Sequence, residues 1–273
     1  MFTVFILAKF YSEPNIVCRV VFVNKENQTR NSVRAGYALH VATASGAVAG
    51  MIALQAVIDG RWRDALLWLI FCQVLDGLDG PIARKIDINI HAPKIDGHIL
   101  DLVVDYITCV LVPIALLIHL ELLPKHFQTL IAGAIFLSSA LWFARTDLET
   151  EDHWFNGFPA VWNLAVPTFL IMDLTSRTVL IVSSILCISQ LTNFKMPHLV
   201  RVVKLRWLTL PLAIIYLVNL TILSWDFVAS SEKHYDTLES IILIGFPVYL
   251  FLISAWRTWF PKVKLPFIGG ITA

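Results

Sequence analysis

Long apolar stretches recur along the chain from residue 36 onward, separated by short polar connections. About 20 apolar residues in a helix rising 1.5 Å each are needed to cross a hydrocarbon core. The pattern predicts eight such segments, over residues 36–58, 65–80, 97–120, 127–145, 159–173, 178–194, 207–225 and 238–256. The second and fifth are short for a span and are expected to be drawn in by tight loops. Residues 1–35 break the pattern. Met1–Phe10 is apolar but interrupted by Lys9, and no small-residue cleavage site follows, so it reads poorly as a signal peptide. The expected organisation is an N-terminal cytoplasmic arm (1–35), a transmembrane domain (36–260) and a C-terminal tail (261–273). The expected fold class is an all-α, polytopic integral membrane protein.

Composition strengthens this reading. Hydrophobic residues make up 57% of the chain and charged residues 15%, where a soluble domain carries roughly a quarter charged. Mean hydropathy is +0.71. Lysines and arginines (21) nearly balance aspartates and glutamates (20), a net charge of +1 that offers nucleic acid no basic surface. Cys18, Cys72, Cys109 and Cys187 lack metal or disulfide spacing, and the last three lie in apolar runs. With the arm inside, sixteen basic residues fall on its side of the membrane and five on the other. That asymmetry predicts an even number of spans and both termini in the cytoplasm. Trp62, Trp207, Trp225 and Trp256 fall near span ends, as an aromatic belt requires.

Carboxylates inside this pattern carry the chemistry. Asp76 and Asp79 stand three residues apart near the end of the second apolar segment, and Asp101 and Asp105 four apart in the third. On helices each pair occupies one face, and the orientation brings both pairs to the cytoplasmic level. A carboxylate at mid-bilayer costs about 2.5–3.5 kcal/mol. A single acid beside a loop, such as Asp87, is most simply a solvated interfacial residue. Four at paired spacing need a partner, and hard oxygen ligands suit Mg²⁺ or Mn²⁺, with room in the donor set for two ions clamping a pyrophosphate. Gly77, Gly80 and Gly97 leave room for close approach, and Arg84 offers a planar fork for phosphate. His91 and His98 flank the motif and are read as solvated.

The run Asp76-x-x-Asp79-Gly80-x-x-Ala83-Arg84, then twelve residues, then Gly97-x-x-x-Asp101-x-x-x-Asp105 resembles the signature of the CDP-alcohol phosphotransferase family. Most members place eight residues between the arginine and the second glycine. Twelve resembles the variant of the bacterial phosphatidylcholine synthases, as do about eight spans. Thr43-Ala44-Ser45-Gly46, Gly157-Phe158-Pro159 with Trp162-Asn163, and Pro197-His198 with Arg201 are similar to further features of that group. The resemblance covers roughly residues 36–260. It implies transfer of the phosphatidyl group of CDP-diacylglycerol to a small alcohol, choline in that group, with release of CMP. It also implies two divalent ions, Mn²⁺ or Mg²⁺. Asp76, Asp79 and Asp101 would hold one and Asp105 would share the second. Asp105 would also act as the base on the acceptor hydroxyl. Gly80, Arg84 and Gly97, with Ser45, would contact CDP-diacylglycerol. A bacterial inner-membrane location, membrane lipids as surroundings and a homodimer follow from the same resemblance.

Choline carries a quaternary ammonium that donates no hydrogen bond and is held by aromatic faces. Trp142, Phe143, Trp154, Phe155 and Trp162 cluster about the loop between spans four and five, and Tyr106 adjoins the expected base. Each of these tryptophans is equally at home in an interfacial belt. Arg145, Lys195, Arg201, Lys204 and Arg206 serve either the lipid phosphate or the positive-inside rule. Phosphatidylserine synthase differs only in the acceptor. A secondary transporter also carries intramembrane acids, but near the midplane and with internal repeats, and the halves of this chain show none. An aromatic prenyltransferase lacks the Asp79–Arg84 arrangement.

Overall fold

Apolar chain with no water to bond must satisfy its own backbone, and the helix does so within one segment. The computed structural model, which describes residues 30–85, 91–228 and 236–260, follows that rule nearly throughout. Its helices are α1 (Arg30–Ile58), α2 (Trp62–Lys85), α3 (Gly97–His119), α4 (Gln128–Phe143), α5 (Trp162–Ile171), α6 (Ser176–Gln190), α7 (Val203–Trp225) and α8 (Thr237–Trp259). Two three-residue strands, β1 (Trp154–Asn156) and β2 (Lys195–Pro197), pair antiparallel with Phe155 opposite Met196. The chain is an all-α polytopic membrane protein.

Five helices are long and apolar enough to cross a membrane: Val33–Ile58, Trp62–Ala83, Gly97–His119, Val203–Trp225 and Thr237–Trp259. The apolar helices α4, α5 and α6 are shorter, at 16, 10 and 15 residues. A 15-residue helix rises only about 22 Å against a hydrocarbon core of about 30 Å. The fifth segment is short, as expected, but the second is not. α2 runs past Gly80 to Lys85, because Pro81 removes only one donor from the ladder and the helix end needs no apolar residues once it reaches polar surroundings. α1 likewise begins at Arg30, inside the expected arm; the rest of that arm and the tail lie outside the described residues.

Small side chains let α1 and α2 pack closely. Ala53, Ala56 and Val57 meet Ala65, Leu66 and Leu69, and Val110, Ile114 and Leu117 of α3 close the same core. A second core joins α7 and α8 to α2 and α5 through Tyr216, Leu220, Leu243 and Phe246 against Ile70 and Ile171. Polar glue ties the three short helices. Ser138 Oγ donates to Gln190 Oε1 (2.6 Å), while Gln190 Nε2 and Trp162 Nε1 both donate to Ser139 Oγ (3.2 and 3.1 Å).

The sheet caps one end of the bundle. Arg145, at the end of α4, donates to the carbonyls of Gln190 and Thr192 and to Asn193 Oδ1, and pairs with Asp147 at 2.8 Å. Arg257 of α8 pairs with Asp152 at 2.8 Å, and the Lys195 N–H donates to Thr258 Oγ1. Basic residues from both halves therefore gather at this end. At the other end the Arg63 guanidinium lies 5.4 Å from the Trp225 ring, joining the start of α2 to the end of α7.

Gly157 fixes how the cap seats. Its φ is +88°, and a Cβ there would lie 2.7 Å from the carbonyl oxygens of both Ser189 and Gln190. Gly157→Ala should cost about 1–3 kcal/mol or more, because strain and clash add. Gly133→Ala on α4, where a Cβ meets nothing within 4 Å, should be neutral or stabilising by up to about 1 kcal/mol. Thermal melts of the two variants in detergent check this; equal melting temperatures would contradict it.

Candidate active site

The start of α3 sets the phase of its acids. Asp96 caps the helix, its carboxylate accepting from the N–H groups of His98 (3.0 Å) and Ile99 (3.2 Å). One and two turns later Asp101 and Asp105 face α2. Directly after Asp105 the helix loosens into a π-helical turn over Tyr106–Leu111, where Val112 N–H donates back to Ile107 O. Pro113 follows and has no N–H to restore the normal ladder to Cys109. The added residue re-aims the helix, so that the acids face the pocket and Val110, Val112 and Ile114 enter the core.

A carboxylate oxygen from each of Asp76, Asp101 and Asp105 lies within 4.8 Å of the other two. Asp79 lines the same pocket, beside Thr43, Gly46, Cys72 and Thr108. It stands outside the trio and accepts from Thr43 Oγ1 at 2.8 Å. Gly46 lets α3 approach: a Cβ there would meet Val104 Cγ1 at 2.7 Å. Asp76 Oδ2 accepts from Gln73 Nε2 at 3.2 Å, and Gln73 Oε1 in turn accepts from Asn163 Nδ2 of α5 at 2.9 Å.

Among the described residues no lysine or arginine forms an ion pair with any of the four aspartates. Arg201 comes within electrostatic range of Asp101, but its Nη1 is engaged by Glu149 at 2.8 Å. Converging hard oxygens at the mouth of an apolar bundle, with no cationic side chain of the described residues paired to them, fit the donor set of a divalent cation.

The other expected site residues are placed as follows. Gly80 is half-buried on α2, and Gly97 opens α3 against His40 of α1. The Arg84 side chain lies outside the described residues. Ser45 is exposed and donates to Ala42 O within its own helix (2.6 Å), whereas Thr43, two residues earlier, reaches the pocket. Trp154 and Trp162 are 1% and 0% exposed. Trp162 is held by Ser139, and the Arg257 guanidinium lies 5.7 Å from the Trp154 ring. Trp142 is also buried, donating to Asn156 O at 2.7 Å. Half-buried rings flank it. Tyr106 lies 6.0 Å from Phe143, Phe143 5.1 Å from Trp142, Trp142 5.7 Å from Phe155, and Phe155 stacks on His198 at 5.3 Å. This aromatic path leads from the residue after Asp105 to the cap.

Among the basic residues, Arg145 and Lys195 stitch the cap, Lys195 through Asn156 Oδ1. Sequence reasoning quoted Thr43 and Asn163 without giving them roles and passed over Gln73. A glutamine three residues before Asp76 inside an apolar run was the signal available for it.

Residues 37–200 match the family model for CDP-alcohol phosphatidyltransferase. The phosphatidylcholine synthase of Pseudomonas aeruginosa is 35% identical over 183 residues, which cover 67% of this chain and 77% of that protein. Those of Rhizobium johnstonii and Rhizobium meliloti are 32% identical over 229 residues and 30% over 246, covering 83% and 89% of this chain and 92% and 98% of theirs.

The trio carries a cost that a cation would relieve. Two unit charges 4.8 Å apart repel by about 3.5 kcal/mol at an effective dielectric near 20. Asp101→Asn should therefore raise the melting temperature in chelator by a few degrees. It should also abolish the rise that Mn²⁺ produces in the wild type. Melts with and without Mn²⁺ read both effects, and a variant still stabilised by Mn²⁺ would count against a cation at the trio.

Proposed function

The chain belongs to the CDP-alcohol phosphatidyltransferase family, and we propose that it transfers the phosphatidyl group of CDP-diacylglycerol to choline, giving phosphatidylcholine and CMP. The observation that best supports this reading is the convergence of Asp76, Asp101 and Asp105, in a chain related over most of its length to phosphatidylcholine synthases. The family depends in general on divalent metal. Asp76, Asp79, Asp101 and Asp105 would hold Mn²⁺ or Mg²⁺. When bound, such an ion supplies positive charge against the pyrophosphate and its developing negative charge.

The residues divide the remaining work. The choline oxygen attacks the phosphorus that bears diacylglycerol, in line with the bridging oxygen. The bond to that oxygen breaks, and CMP leaves. Asp105 accepts the hydroxyl proton, so that the attacking oxygen gains charge as the leaving oxygen does. Thr43 holds Asp79, keeping its second oxygen free for the site. Gly80, Gly97 and Arg84 serve the CDP moiety. The trimethylammonium rests on half-buried rings of the path that starts at Tyr106, next to the base in sequence, and runs through Phe143 toward Phe155. The basic end of the bundle, where the cap lies, faces the cytoplasm of a bacterial inner membrane, so water-soluble choline and CMP enter and leave directly.

Purified protein with CDP-diacylglycerol and Mn²⁺ should release CMP with choline and not with serine, inositol or glycerol 3-phosphate; turnover with serine alone would overturn the acceptor. Asp105→Asn should lower the rate by about 10² or more while CDP-diacylglycerol still binds. Equal losses of binding and rate would make Asp105 a ligand only.

Phe143→Ala should raise the choline KM about 5–30-fold and leave that for CDP-diacylglycerol nearly unchanged, as expected for the loss of a cation–π face. Trp154→Ala and Trp162→Ala, which empty fully buried positions, should lower yield and melting temperature instead. An unmoved choline KM in both Phe143→Ala and Phe155→Ala would place the ammonium elsewhere.

A further inference from the structure

Asn163 is fully buried, yet its Oδ1 has no hydrogen-bond partner. The amide could not simply turn over to cure this. A carboxylate accepts and does not donate, so Gln73 must point its NH₂ at Asp76 and its carbonyl at Asn163. That leaves Asn163 only its donor end to offer and strands its oxygen. A side chain kept for packing alone would be apolar here, since a stranded buried acceptor is destabilising. The orphan atom marks the donor end as the part in use.

We propose that Asn163 and Gln73 are positioning residues, a two-amide relay from α5 through α2 that fixes the plane of the Asp76 carboxylate for a divalent cation. The inference rests on the metal reading of the aspartate trio. Gln73 occupies one oxygen of Asp76 and stops the carboxylate rotating on an apolar helix face. Asn163 does the same for Gln73, whose carbonyl would otherwise be free to turn toward the acid. The relay also gives a reason for α5, the shortest of the eight helices named above, to enter the bundle beside α2: it delivers Asn163 from 90 residues away in sequence. Partners of this kind, hydrogen-bonded to ligands rather than to the ion, commonly change metal affinity by about 10–100-fold.

The test measures Mn²⁺ binding to the full-length, substrate-free protein in detergent, by the electron paramagnetic resonance of free Mn²⁺. Gln73→Leu should raise the Kd about 10–100-fold and Asn163→Leu about 3–10-fold. The double variant should be no weaker than Gln73→Leu alone, because Asn163 acts through Gln73. In chelator the double variant, which sheds the stranded oxygen and leaves neither amide without its partner, should melt no lower than the wild type, a result that a purely structural role would not give. Additive losses in the double variant would overturn the relay. Should Gln73→Leu fail to accumulate, Asn163→Leu decides alone, and a Kd within about twofold of the wild type overturns the proposal. Asp101→Asn separates the two ideas. If it binds Mn²⁺ as the wild type does, or if the wild type binds none, the metal reading falls and this inference with it. If Asp101→Asn loses binding while the amide variants keep it, only the relay falls.

Discussion

The arrangement depends on one constraint: carboxylates held together at the mouth of an apolar bundle repel one another and must be held in place against that repulsion. Hydrocarbon and packed side chains screen charge poorly, so the groups that hold the acids in place matter. Small residues on α1 make the approach possible, with Gly46 admitting α3 and Thr43 holding Asp79. Asp96 sets where α3 begins, and the π-helical turn after Asp105 ends the face that carries acids. These are local devices, each built on one or two residues, and their common effect is to point four carboxylates inward from two helices.

A rigid frame is needed because α2 and α3 alone would spread under their own charge. The frame comes from two sources of different character. Close apolar packing binds α1, α2 and α3 along the core, and hydrogen bonds between Ser138, Ser139, Gln190 and Trp162 lock the short helices around them. Short helices give up membrane-spanning length but bring loops to the level of the site. The β1–β2 cap is made of such loops, closed by Arg145 and Arg257 across long stretches of sequence.

Much of this was legible beforehand. Helices, their order and the paired acids follow from apolar run length and from spacing that repeats a helical turn. The limits of α2 did not, because hydropathy falls at Gly80 while the helix persists to Lys85. Spacing placed four acids on two faces, but whether Asp79 joined the other three depends on a hydroxyl from α1 that no local pattern announces. The tryptophans mislead for a related reason. Trp154 lies in loop sequence and Trp162 near the start of an apolar segment, places where a belt tryptophan would be exposed, yet the cap and the serine network bury both, leaving the less conspicuous Phe143 and Phe155 half open. Sequence separation hides contacts, and the contacts decide which polar or aromatic residue is structural.

The two halves of the site answer different demands. Gripping a pyrophosphate needs fixed hard oxygens, and these come from two neighbouring helices, where helical spacing sets each pair of acids and the packing of α1, α2 and α3 holds the pairs together. Selecting an acceptor needs shape and polarisable surface, which a short motif cannot supply. Here the rings run outward from Tyr106 through Phe143 and Phe155 to His198, drawing on four separate segments brought together by helix packing and the cap. On the proposed reading, changes in cap sequence would alter which alcohol fits without disturbing the carboxylates. Changes in the motif cannot alter the grip without losing it. On that reading, the part that would meet the acceptor is built by tertiary packing, over a site whose acids are set by helical spacing.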